Sequence, residues 1–245
     1  MESCIRKGIH DFLGFDGPIM LDSGGYQWLR GKKLAYDATS LARFANQCEA
    51  DHVMALDYPP RNVREHGRKF ALKNLRSFQE MDRITDRVIP VVHAPLRLLR
   101  IEMKLLSRMS FRSLAFGGLL PSQKGGLAST RPALEEVSSS KVRVHLLGFA
   151  SPSLSKGLSK TIRSVDFAGW RNAAAYGYIL LPSGYRKVSA RNHYGHARRP
   201  SKDERGTIRL ICKRLNLNPV VLNHRFAARA IFSAYVVSKM LFRPS

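Results

Sequence analysis

Apolar runs of strand length recur along the chain, at residues 18–21, 52–56, 88–92, 114–116, 142–147 and 164–168. Most are rich in Val, Ile, Leu or Phe, the composition of buried strands. Longer amphipathic stretches lie between them, and 38–48, 63–80, 96–109 and 152–163 read as helices. This alternation predicts an α/β fold with a mostly parallel sheet and helices outside it. Past Gly184 the rhythm breaks. Residues 226–240 are apolar with few polar interruptions and predict a docked helix. The expected division is therefore an α/β domain over 1–184 and a C-terminal segment over 185–245.

At 245 residues the chain can bury a core without cross-links. Its charge is far from balanced: 41 Lys and Arg against 18 Asp and Glu give +23, with a pI near 10.6. That argues against an enzyme of small neutral metabolites and favours a polyanionic partner. No run approaches the roughly 18 apolar residues of a membrane span. The opening MESCIRKGIHDF lacks the apolar core of a signal peptide. The three cysteines, Cys4, Cys48 and Cys212, are odd in number and far apart. A disulfide framework is not expected, and a cytoplasmic location is.

The positive charge concentrates late. Residues 186–225 hold eleven Lys or Arg against Asp203 and Glu204, a net +9. Arg186, Lys187, Arg191, Arg198, Arg199 and Lys202 are candidate phosphate contacts, with His193, Tyr194 and His196 interleaved. Cations among aromatic rings suit backbone phosphates and unstacked bases. The alternative is a solvated basic face.

Acidic residues are few, so their places matter. Asp22 follows Ile-Met-Leu, Asp57 follows Val-Met-Ala-Leu, and Asp166 follows Ser-Val. His93, Gly117, Gly118 and Gly148 also stand just past predicted strands. In parallel α/β folds the ligand sits at the carboxyl ends of the strands, where such residues converge. Asp166 is the only acid between Val137 and Lys202. Neighbouring cations would keep it ionised as a nucleophile or metal ligand, or simply pair it with Arg163 or Arg171. Asp22 opens Asp-Ser-Gly-Gly-Tyr-Gln. Ser23 offers a hydroxyl, Gly24 and Gly25 allow close backbone approach, and Tyr26 offers a ring for stacking. A carboxylate such as Asp57 can accept from two adjacent N–H groups of a guanine-like edge. Three such aspartates suffice for a nucleophile, an acid/base and a base-reader.

GIHDFLGFDGPIMLDSGGYQ at 8–27 resembles the signature of the tRNA-guanine transglycosylases, also called queuine tRNA-ribosyltransferases. Further blocks follow in that family's order: ADHVMALD at 50–57, VIPVVH at 88–93, LAFGGL at 114–119, VHLLGFASP at 144–152 and VDFAGW at 165–170. The resemblance covers roughly residues 8–177. It implies a TIM-barrel-like (β/α)8 fold and a base exchange that needs neither ATP nor a redox cofactor. By position it implies Asp166 as the nucleophile and Asp22 as the acid/base. Ser23, Gly24, Gly25, Asp57, His93, Gly117 and Gly118 would line the base pocket, with Tyr26 and Leu147 sandwiching the base. His93 stands where the family has Gln.

The chain also departs from the family. Only 21 residues precede Asp22, and six barrel strands are legible where eight are needed. Either the barrel is reduced, other segments fill the gap, or a partner chain or second copy completes it. The family's Cys-x-Cys-x-x-Cys zinc site is absent. His193, His196, Cys212 and His224 offer an alternative tetrahedral set, against the reading that they are ordinary surface and core residues. A short, very basic chain resembles the phage and bacterial branch that inserts 7-deazaguanine derivatives into DNA. That branch implies DNA, a free 7-deazaguanine base and, for a phage protein, the host cytoplasm. The rivals are a transglycosylase acting on tRNA and a noncatalytic nucleic-acid-binding subunit of the same fold.

Overall fold

Side chains alternate along the strands of the first part of the chain. Val53, Val92, Leu114, Phe116 and Leu146 are buried on one face. Met54, Val91 and Ala115 turn to the other and cluster with Ile89, Met20 and Leu147. A parallel sheet with both faces apolar must be covered on both, by helices or by curling on itself.

The computed structural model describes residues 2–60, 62–118, 126–148, 161–166, 169–189 and 198–241. The chain divides into two units, 1–149 with 159–166, and 150–158 with 167–245. The first holds α1 (Glu2–Lys7), α2 (Ile9–Leu13), β1 (Met20–Leu21), α3 (Gly25–Leu29), α4 (Ala38–Gln47), β2 (His52–Met54) and α5 (Val63–Asp82). It continues with β3 (Val88–Ile89), β4 (Val91–His93), α6 (Leu96–Leu106), β5 (Ser113–Gly117), α7 (Gly126–Ser138), β6 (Arg143–Leu146) and β7 (Ile162–Val165).

The helices start where the sequence offers caps. Asp37 accepts from the Ser40 amide at 2.8 Å to open α4, and Asn62 accepts from Glu65 at 3.4 Å to open α5. Each then buries one stripe, such as Leu41, Ala42 and Ala45 on α4 and Ala71, Phe78 and Met81 on α5.

β1, β2 and β3 are parallel neighbours, as are β4, β5, β6 and β7. Pro90 separates β3 from β4. Proline has no N–H for the ladder, so the extended segment pairs with β2 up to Ile89 and with β5 from Val91 onward. Its carbonyl still accepts from Ala115 at 2.9 Å. Among the described residues the result is six parallel strand positions in sequence order. A doubly wound sheet reverses its order at a switch point; a (β/α) barrel does not.

The sheet also curls. One cavity of about 340 Å3 is lined by Met20 of β1, His52 of β2 and Ile89 of β3 together with Ser113 of β5, His145 of β6 and Ser164 of β7. Strands from both ends of the series thus face one space.

One expected element is corrected. Residues 152–163 read as a helix, yet Ile162 and Arg163 belong to β7. The Val144 amide donates to Thr161 at 2.8 Å and Leu146 pairs with Val165, and this pairing to β6 decides the conformation. Residues 152–160 lie outside the described residues.

The second unit holds α8 (Gly169–Ala175), the antiparallel hairpin β8 (Tyr178–Leu181) and β9 (Gly184–Lys187), α9 (Lys202–Arg214), α10 (Val221–His224) and α11 (Phe226–Leu241). Ile179 and Leu181 pack with Ile208 and Cys212 of α9 and with Ala228, Phe232 and Val236 of α11. The hairpin pairs residues on both sides of position 184, so the observed division falls after Asp166 instead. Ser201 and Glu204 cap α9 reciprocally, at 3.2 and 2.9 Å. Among the described residues no helix is long and apolar enough to cross a membrane.

Candidate active site

Because β1 to β7 run parallel, the residues that follow them gather at one end of the sheet. Asp22 follows β1, His93 and Gly117 end β4 and β5, Leu147 and Gly148 follow β6, and Asp166 follows β7. Asp57 lies three residues past β2.

Asp57 is only 6% exposed, and both its oxygens are engaged. Ser23 Oγ donates to Oδ1, and His93 Nε2 lies 2.9 Å from Oδ2. Gly25 packs so closely on this carboxylate that a Cβ there would strike it. The paired glycines thus let the backbone lie on an acid. Each carboxylate oxygen has a second lone pair, so the Asp57 edge keeps acceptors for two N–H groups of a base.

On its other side His93 meets Glu102 of α6, with Nδ1 3.0 Å from Oε1 and the His93 backbone N–H donating to Oε2 at 2.6 Å. Glu102 also accepts from Asn74 at 3.2 Å, and Asn74 accepts from the Tyr58 amide at 2.8 Å. Burial alone would drive the imidazole neutral, but the charges and hydrogen bonds of Glu102 and Asp57 outweigh it and push its pKa up to about 10. His93 is therefore an imidazolium clamped between two buried carboxylates. Its ring is occupied on both nitrogens.

Asp22 and Asp166 form the second centre. Enclosure by the surrounding protein pushes the Asp22 carboxyl above its ordinary value, and the charges of Asp57 and Asp166 push the same way against the Gly24 and Ser23 amides. Asp166 is raised by enclosure and held back by the Gly148 N–H, which donates to Oδ1. Among the described residues of this unit its hydrogen-bond partner is that amide, and no ion pair with Arg163 forms. The charge of Asp166 thus reaches Asp22. Tyr36 donates to the Ser23 carbonyl at 3.0 Å and has its own pKa raised, by enclosure first and then by Asp22 and Asp57.

Gly117 and Gly118 lie against His93 and Ala94. The Ala94 amide donates to the Gly117 carbonyl at 3.0 Å. Gly118 has φ +79, and a Cβ there would crowd the Ala94 backbone at 3.1 Å. The Leu147 side chain reaches Gly117. Tyr26 does not share that packing: it is 49% exposed, its hydroxyl accepting from Arg30 at 3.5 Å.

Sequence reasoning missed Glu102, Asn74 and Tyr36. Two of them carried a signal. Glu102 interrupts the buried stripe of Leu98, Leu99 and Leu106, and Asn74 interrupts that of Ala71 and Phe78. A polar residue in an apolar stripe demands a buried partner. Tyr36 carried none.

In the second unit the basic residues part company. Arg186, expected at a phosphate, is 6% exposed, with Nη2 2.6 Å from Glu204 Oε1 and a further bond to Ser183 at 3.0 Å. The pair turns the guanidinium inward, and it is a structural cation. Arg198 shares Glu204 at 3.1 Å while remaining largely exposed. Arg199 and Lys202 are exposed. The Lys187 amide donates to the Arg198 carbonyl at 3.1 Å, which ties the hairpin to the start of the basic stretch. Arg191, His193 and His196 lie outside the described residues. Cys212, the thiol of the possible zinc set, is buried among Ile179, Ile208 and Phe232, and burial pushes its pKa up. His224 closes α10.

No protein-family model matches the chain. Curated proteins do. The chain is 23% identical over 214 residues to the tRNA-guanine(15) transglycosylase of Pyrococcus furiosus, covering 79% of this chain and 35% of that protein. It is 24% identical over 205 residues to that of Pyrococcus abyssi, with the same coverage. A shorter match to the Korarchaeum cryptofilum protein is 33% identical over 85 residues, 33% of this chain and 14% of that one. The chain thus spans about a third of the length of the first two relatives. In these matches, and in the ordered residue blocks at its strand ends, the chain is similar to the tRNA-guanine transglycosylases.

Proposed function

We propose that this protein exchanges guanine in a nucleic acid for a 7-deazaguanine base without cutting the strand. The observation that carries the reading is the meeting of Asp22 and Asp166, two enclosed carboxylates from opposite ends of the strand series, at the carboxyl end of the parallel strands. Pairs whose environments separate their protonation states divide into acid and nucleophile.

The target guanosine must leave the stack to expose C1′. Ionised Asp166 attacks C1′, the glycosidic bond breaks, and guanine departs with the proton of Asp22. An ester between Asp166 and C1′ remains. The incoming base loses its ring N–H proton to Asp22, its nitrogen attacks C1′, and Asp166 is released. Two displacements retain configuration, as in retaining glycosidases. Asp57, steadied by Ser23 and His93, reads the N1 and N2 hydrogens of the base.

The relatives' names specify tRNA, which supports an RNA substrate. The DNA reading rests on the chain's +23 charge. Labelled guanine offered with tRNA and with DNA separates the two. Label entering one polymer identifies the substrate, and label entering neither overturns the proposal. The rival, a noncatalytic nucleic-acid-binding subunit, is favoured by the six strand positions where a full barrel needs eight. It predicts strand binding with no label incorporated.

A further inference from the structure

A second recess opens beside the candidate active site. It encloses about 380 Å3 and is walled by Trp28, Phe70, His66 and Pro59, with Lys32 and Lys33 at its edge. That volume lies within the roughly 300–1,000 Å3 of small-molecule sites. The rings are braced. Trp28 meets Tyr58 edge-on at 5.2 Å and Phe70 at 6.5 Å, and His66 meets Phe70 at 6.4 Å. Lys73 Nζ sits 3.4 Å over the Tyr58 ring and 4.9 Å from that of Trp28, so this cation stiffens the wall. Lys32 and Lys33 are exposed, and no acid is among the lining residues. Glu65, the neighbouring carboxylate, is held by His66 at 3.2 Å.

The recess and the active site are built by the same two segments. Trp28 stands on α3, whose first residue, Gly25, packs on Asp57. Pro59 is two residues past Asp57, a chain span of at most about 7 Å. We infer that this recess binds the unpaired base of a nucleotide adjoining the exchanged guanosine, stacked on Trp28 and Phe70, with its phosphate at Lys32 and Lys33. Flat apolar walls with cations at the rim match a nucleotide, ring against ring and phosphate against ammonium, and would repel a basic peptide. The inference rests on the nucleic-acid reading above and adds a subsite to it. A strand gripped at its neighbour is held open, which exposes the target C1′.

The chain has two tryptophans, so Trp170→Phe leaves Trp28 as the reporter. Single-stranded oligonucleotides with one guanosine, in ribose and deoxyribose forms, are titrated against it, intact or with an abasic nucleotide on either side of the guanosine. Binding should quench Trp28. An abasic residue at one flank should abolish the quench and weaken binding about ten- to hundredfold. In the otherwise wild-type chain, Trp28→Ala should cost as much, with no further loss on the abasic strand. Because Trp28→Ala also removes packing, Lys32→Glu with Lys33→Glu is the second variant. It should weaken binding and lower the salt slope by up to about two. Unmoved fluorescence with equal binding of all strands, or wild-type binding by the charge-reversed variant, overturns the subsite. Guanine exchange with unmoved Trp28 removes the subsite alone. Quenching at the flank without exchange keeps the subsite and removes the exchange reading.

Discussion

Asp22 follows the first strand of the parallel series and Asp166 the last, yet the charge of Asp166 acts on Asp22. In a flat sheet of six strand positions, with about 4.8 Å between neighbours, their bases would stand more than 20 Å apart. Curling removes that separation at the carboxyl end of the strands. The cavity shared by β1 and β7 residues is the same curl seen from inside. Fold and chemistry therefore depend on one feature.

The two aspartates should fail in different ways. With the incoming base withheld, the wild type should give a protein–nucleic acid adduct that survives denaturation. Asp166→Asn should bind the strand and give no adduct, because an amide of similar shape is a poor nucleophile. Asp22→Asn should still form adduct, slowed by roughly 10²–10⁴-fold for the lost proton transfer. Enclosure raises both carboxyls, and in the proposed roles exchange requires a protonated Asp22 beside an ionised Asp166 and should decline as Asp22 ionises. An adduct from Asp166→Asn but none from Asp22→Asn would reverse the roles.

Gly25→Ala should disable the base pocket. The new Cβ collides with the Asp57 carboxylate, which Ser23 and His93 hold in place. Overpacking of this kind costs about 1–3 kcal/mol. Guanine binding, followed by calorimetry, should be lost while most of the fold remains. Gly206→Ala, on α9 with open space around it and no positive φ, is the control. Unchanged guanine affinity in Gly25→Ala would show that Asp57 does not read the base.

The strands were legible because runs such as 88–92 and 114–116 have strand composition and strand length. The aspartates were legible because they interrupt the chain just past such runs. Pairing is what sequence does not display. Arg186 counted as one cation among eleven, and only the fold brings Glu204, eighteen residues away, onto it. Likewise 162–163 continued an amphipathic pattern until β6 claimed it as a strand. The partner of His93 lay on α6 as an acid among leucines, visible in the stripe but not assignable without the packing.

The exposed cations of the second unit should carry salt-dependent binding, and Arg186 should not. Replacing Arg199 and Lys202 with Ala should weaken nucleic-acid binding and reduce the slope of log affinity against log salt by about one unit for each lost phosphate contact. Arg186→Ala should instead lower the melting temperature, since it strands Glu204 beside Ser183. Arg186→Ala protein that melts like wild type but binds more weakly would restore Arg186 as a phosphate contact.

The His93 clamp predicts a loss of stability toward alkaline pH. Its folded pKa of about 10 lies above the ordinary 6.5. The proton is thus bound more tightly in the folded state. The stabilisation is complete below about pH 6.5 and disappears as pH rises through about 10. His93→Gln, the residue of the resembled family, places a neutral amide between Asp57 and Glu102. Breaking a buried ion pair from one side costs about 3–5 kcal/mol, so the variant should be less stable at pH 7. Its stability should also vary less with pH than that of the wild type. Glu102→Gln should lower the folded pKa of His93 and move the wild-type decline to lower pH. Urea midpoints between pH 6 and 10 measure all three proteins. The informative quantity is the difference between wild type and His93→Gln, because lysines, tyrosines and cysteines titrating near pH 10 contribute to both. A difference that stays constant from pH 6 to 10 would mean that His93 is not protonated in the folded protein, and that Asp57 is held by a neutral hydrogen bond.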